Sequence, residues 1–64
     1  MQTYRIVGHD RPAGAPADAF EFFRVFVDAV SIEEAAELAR KQRYELGREK
    51  VHLSVVGEPS AILV

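Results

Sequence analysis

Polar and apolar side chains alternate over Gln2–Val7, with Tyr4 and Ile6 on one side and Thr3, Arg5 and Val7 on the other. A period of two is the signature of a half-buried strand. From Gly8 to Ala19 the period vanishes, and Gly8, Gly14, Pro12 and Pro16 are set among small alanines. That composition predicts a long, flexible, exposed connection over residues 8–19. Alternation returns from Glu21 to Val30. Its odd positions, Phe23, Val25, Val27 and Ala29, are uniformly apolar; its even positions, Phe22, Arg24, Phe26 and Asp28, are mixed. A face covered by a helix has no water for Arg24 or Asp28, so the odd row is assigned to the covered side.

The period then changes to that of a helix. Ser31-Ile32-Glu33-Glu34 has the S-x-x-E form of a capping box, in which Ser31 accepts from the Glu34 amide and the Glu34 carboxylate reaches back to the Ser31 amide. Val30 and Ala35 occupy the positions of a hydrophobic staple. Ile32, Ala35, Ala36, Ala39 and Leu46 form an apolar stripe with Leu38 and Gln42 at its margin, and Gly47 stands where a left-handed residue closes a helix. Val51–Val56 reads as a third strand, Gly57-Glu58-Pro59-Ser60 as a turn, and Ala61–Val64 as a short apolar fourth strand.

The expected architecture is therefore a single α+β domain over residues 1–64 with the order β-β-α-β-β. One helix packs on one face of a four-stranded mixed sheet, as a split β-α-β unit with a C-terminal hairpin. The pattern leaves two strand orders open, 2-1-3-4 and 1-2-3-4. Fold of this kind carries no function with it.

Composition narrows the chemistry. With 64 residues the chain is small enough to gain from a partner. It has no cysteine, which removes disulfides and thiolate metal sites and fits a reducing compartment. No apolar run approaches the ~20 residues of a membrane span, and Met1–Arg5 lacks a signal-peptide layout. A cytoplasmic protein with no membrane role is expected. The net charge of −2 is uneven: the basic side chains of the C-terminal part are Arg40, Lys41, Arg43, Arg48 and Lys50, gathered at the helix end and just beyond it. Cations there complement the helix dipole. Arg40, Arg43, Arg48 and Lys50 are also the candidate contacts for an anion or a nucleic acid, although a chain with negative net charge lacks the usual basic excess of a nucleic-acid binder.

Motifs of catalysis are missing. There is no HExxH, no phosphate-cradling glycine loop and no nucleophile elbow around Ser31, Ser54 or Ser60. His9-Asp10-Arg11 reads as a solvated turn rather than a base–carboxylate pair, and His52 as a surface imidazole. The chain is expected to be non-catalytic, with no cofactor and no metal; a small enzyme or metal protein using His9 and His52 is the third reading. The best functional candidate is the sheet face the helix leaves bare, where exposed aromatic and branched side chains would mark a contact surface. Tyr4, Phe22, Arg24, Phe26, Val56, Ile62 and Val64 are assigned to it. A homodimer or other protein contact through this face or through a sheet edge is the first expectation. Stacking of single-stranded nucleic acid on Phe22 and Phe26 is the second.

Overall fold

The computed structural model describes residues 1–59, with side chains through residue 54. It contains β1 (Gln2–Pro12), β2 (Glu21–Ala29), α1 (Ile32–Glu45) and β3 (Arg48–Pro59). The described residues make one three-stranded sheet in the order β2-β1-β3, with β1 antiparallel to both neighbours. The expected four-stranded mixed β-β-α-β-β sheet is thus corrected, over the described residues, to a three-stranded antiparallel β-β-α-β arrangement of the α+β class. The turn expected at Gly57–Ser60 is overturned as well, because β3 continues through Gly57, Glu58 and Pro59. The fourth strand expected at Ala61–Val64 lies outside the described residues.

The first strand is longer than its alternation suggested. Gly8–Pro12, assigned to the flexible connection, belongs to β1 and pairs with both neighbours. The reason is visible in the rows. Tyr4, Ile6, Gly8 and Asp10 all face α1 and are buried, while Arg5 on the opposite row is exposed. Gly8 and Asp10 keep the period of two but not its apolar character. The connection that remains, residues 13–20, is tied at its start by the Ala13 amide donating to the Gly47 carbonyl at 2.9 Å.

On β2 the odd row faces the helix as expected. Phe23 and Ala29 are buried, Val25 and Val27 are half-buried, and Phe22, Arg24, Phe26 and Asp28 are exposed. Helix α1 lies over all three strands. Its buried residues are Ala35 and Ala39, small enough for the backbone to approach the sheet closely. The core is Tyr4, Ile6, Ala29, Ala35 and Ala39, with Val25, Val27 and Leu53 packed against it. Ile32 and Leu38 stay 39% and 40% exposed and Leu46 63%, so the fully buried stripe is narrower than the sequence implied.

Capping follows the sequence with one change. The Ser31 hydroxyl accepts from the Glu34 amide at 3.1 Å, but the Glu34 carboxylate accepts from the Val30 amide at 2.9 Å rather than from Ser31. Val30 is exposed, so no staple forms with Ala35. Gly47 has φ +82° and closes the helix, its amide donating to the Tyr44 carbonyl.

Two backbone features fit β1 to its neighbours. Gly8 pairs with Phe23 on one side and Leu53 on the other. A Cβ at position 8 would stand 2.2 Å from the His52 carbonyl oxygen and 3.0 Å from the Phe23 ring. Opposite Asp10, β3 bulges: His9 pairs with His52 and Arg11 with Glu49, leaving Lys50 and Val51 against one residue. Lys50 takes a left-handed φ of 54° at this point. The extra residue keeps Lys50 exposed while Val51 turns into the core. Gly8→Ala is expected to destabilise the fold by about 2–3 kcal/mol, since the obstruction includes backbone that has no room to relax. The midpoint of urea unfolding measures this.

Candidate contact surface

Both ends of the sheet carry polar side chains, but they serve different purposes. At the C-terminal end of β1 the Asp10 carboxylate is fully buried. Arg43, one turn beyond Ala39 on the covered stripe, donates from Nε to Oδ2 at 2.7 Å, and its guanidinium lies 4.3 Å from the centre of the Phe23 ring. Arg48, at the start of β3, donates from Nε to Oδ1 at 2.9 Å and from Nη2 to Glu21 Oε1 at 2.6 Å. One carboxylate therefore joins all three strands and the helix end. Burial pushes the Asp10 carboxyl upward, but hydrogen bonds from Arg43 and Arg48, with their charges, outweigh it and hold the group below its ordinary value of 3.8. The bonds to Glu21 and then Asp10 raise Arg48.

This cluster removes two candidates from the surface. Arg43 and Arg48, assigned to an anion or nucleic-acid contact, are turned inward onto Asp10. Arg40 donates to the Val51 carbonyl at 3.0 Å. Of the four cations proposed for that contact, only Lys50, exposed at the bulge, has neither an ion pair nor a side-chain hydrogen bond among the described residues. His9-Asp10-Arg11 is not a solvated turn: Asp10 is buried, and Arg11 donates to Glu49 at 3.0 Å on the other face.

The uncovered face is built from the outward rows. β2 contributes Phe22, Arg24, Phe26 and Asp28; β1 contributes Thr3, Arg5, Val7 and His9; β3 contributes His52 and Ser54. Phe22 is 85% exposed and Phe26 56%. Phe22, His9 and His52 lie in register across the three strands. The His9 and His52 rings stack at 5.1 Å, and Phe20, from the connection before β2, stands edge-on to His9 at 5.3 Å. Arg11 lies over Phe20. Asp28 accepts from the Thr3 hydroxyl. Arg5 and Arg24 enter no ion pair among the described residues.

Of the residues assigned to this face, Phe22, Arg24 and Phe26 are brought together on it. Tyr4 is not: it lies on the helix side of β1, only 7% exposed and part of the core. The inward row of β1 runs through Ile6, whose register partner Val25 faces the helix, and Tyr4 shares that row. Val56 pairs through its backbone with Ile6, and its side chain lies outside the described set, as do Ile62 and Val64. Phe20 and the His9–His52 pair went unassigned to the face. Placing them required knowing that β1 extends past Gly8. Among the described residues, no three His, Cys, Asp or Glu side chains converge in a way that would hold a metal ion, no buried polar side-chain atom lacks a partner, and no helix is long and apolar enough to cross a membrane.

Asp10→Ala is expected to cost about 3 kcal/mol by leaving the largely shielded Arg43 uncompensated and Arg48 held by Glu21 alone. Because its pKa is lowered in the folded state, Asp10 contributes stability that is complete above its ordinary value of 3.8 and lost as pH falls through the lower folded value. The gap in unfolding free energy between wild type and Asp10→Ala should therefore narrow in acid, read by circular dichroism from neutral pH downward. No family model, curated protein or solved structure matches this chain.

Proposed function

We propose that the protein is a small non-catalytic interaction or accessory module, working in the cytoplasm, that self-associates through the sheet face its helix leaves bare or through an edge of that sheet. The observation that carries this reading is the exposure of Phe22 and Phe26 on one sheet face while α1 occupies the other. An open face of a small sheet is normally polar. Here it holds two phenylalanines, a third at its margin and two imidazoles, which favours burial against another surface. Arg24, beside both phenylalanines in β2, sets the polar contact of that surface.

A second reading has its own support. Phe22, His9, His52 and Phe20 form a run of stackable rings, and Arg5 and Arg24 lie on the same face with no ion pair among the described residues. Rings on a sheet with nearby arginines suit the bases and phosphates of a single strand. The metal reading of His9 and His52 has less behind it, since no third ligand joins the two stacked imidazoles among the described residues.

Replacing Phe22 and Phe26 together by Ser is expected to convert a dimer to a monomer in sedimentation, with the circular dichroism of the fold retained. An unchanged mass removes these residues from the contact. Fluorescence titration with single-stranded oligonucleotides at low salt separates the second reading: binding there would fall steeply as salt rises.

A further inference from the structure

The sheet has two edges, and they differ. β3 is irregular: its pairing with β1 shifts register three times, Lys50 takes a left-handed φ, and Pro59 lacks an amide hydrogen. Bulges, lysine and proline are the usual ways to blunt an edge against a further strand. β2 has none of them. It pairs with β1 without a break from Glu21–Asp10 to Ala29–Gln2 and contains neither proline nor lysine. Its outer side has no strand beside it among the described residues.

The segment along that edge, Arg24-Val25-Phe26-Val27-Asp28, is a palindrome in shape and an inversion in charge. We propose that a second copy of this chain pairs β2 against β2 in antiparallel fashion about a two-fold axis through Phe26, joining two three-stranded sheets into one of six. This rests on the self-association reading above and names its geometry. The register places Phe26 opposite the partner's Phe26, Val25 opposite the partner's Val27, and Arg24 opposite the partner's Asp28, the last two contacts each occurring twice. Directly opposed side chains in an antiparallel pair have Cβ atoms about 5 Å apart, within reach of an ion pair. Of the registers that keep both helices on one side of the joined sheet, only this one gives each Arg24 a carboxylate. An axis through Val25 opposes Arg24 to phenylalanine, and an axis through Arg24 opposes arginine to arginine.

The rows fit as well. Val25 and Val27 are only half-buried in the single chain, although they face the helix. Each would gain the other's partner copy as a neighbour on that side. Phe26, 56% exposed, would meet its own symmetry mate on the open side. Asp28 accepts the Thr3 hydroxyl through one oxygen, Oδ1, leaving Oδ2 for the guanidinium. Backbone hydrogen bonds and valine burial supply the affinity, and the charges fix the register.

Charge reversal tests it. Arg24→Asp alone and Asp28→Arg alone each oppose like charges twice, and each is expected to be a folded monomer in sedimentation at concentrations where wild type is dimeric. Mixing the two in equal amounts opposes unlike charges at both positions and should restore a heterodimer, as should the double variant Arg24→Asp/Asp28→Arg with itself. Single variants that remain dimeric, or a mixture that stays monomeric, overturn the pairing. A dimer dissolved by Phe22→Ser but indifferent to these charges assembles by stacked faces, which overturns the edge pairing and leaves the contact face standing. A wild type that stays monomeric at every concentration while binding oligonucleotides overturns both self-association and the pairing.

Discussion

A single buried carboxylate organises this molecule. Asp10 has no exposed surface and would be prohibitively costly alone. Two guanidiniums reach it from consecutive elements far along the chain from β1, Arg43 from the end of α1 and Arg48 from the start of β3, and Arg48 passes the link on to Glu21 at the start of β2. Every element therefore has one terminus in this cluster. The arrangement fixes where the helix stops over the sheet and where β3 begins beside β1. In so small a core, where the buried helix residues are alanines, the cluster does work that larger side chains would otherwise do. Phe23 closes it from the apolar side by stacking under Arg43.

The cluster also decides what the surface is. The basic residues near the helix end look, along the sequence, like a patch for an anion. In space their two central members are consumed internally, and a third caps a strand carbonyl. What remains outward is the opposite face of the sheet, which the one helix cannot reach. Its chemistry is set by the outward row of each strand: phenylalanine alternating with charge on β2, mixed on β1, imidazole and hydroxyl on β3. The asymmetry between a covered and an uncovered face follows from element count alone, and the exposed phenylalanines follow from the even row of β2.

Much of this was legible in the chain. The odd row of β2, the serine cap and the terminal glycine of the helix follow from short-range rules, and the structure shows all three. The misplaced end of β1 and start of β3 share one cause. Apolar alternation marks a strand only where the inward residues are apolar, and β1 and β3 each contain a stretch where the inward residue is not. Gly8 is inward because Phe23 and the His52 carbonyl leave no room for a side chain; Asp10 is inward because two arginines await it. A strand read by hydrophobicity ends at Val7, and Tyr4 loses the continuation that would have shown which side it faces. Arg43 gave a clue, lying one helical repeat beyond Ala35 and Ala39. A charged residue in line with a buried stripe implies a buried partner of opposite charge, and Asp10 was the candidate at the end of the β1 row. At the other end, Gly57 and Pro59 resembled a turn because those residues favour turns, yet an edge strand tolerates both.

The two edges now make sense together. β3 had to accommodate an inward Arg48 for Asp10 and an inward Val51 for the core, three positions apart, and only an inserted residue reconciles that spacing with a period of two. The bulge at Lys50 is the consequence, and it makes the outer side of β3 irregular whether or not a neighbour ever approaches. β2 meets the same cluster through Glu21 and Phe23, near its start and with no inserted residue, so nothing interrupts its ladder from there to Ala29. Satisfying one buried carboxylate thus roughens one edge of the sheet and leaves the other straight. The straight edge is the one whose central side chains are complementary to their own reversal, which is why the proposed self-pairing is assigned to β2 and not to β3.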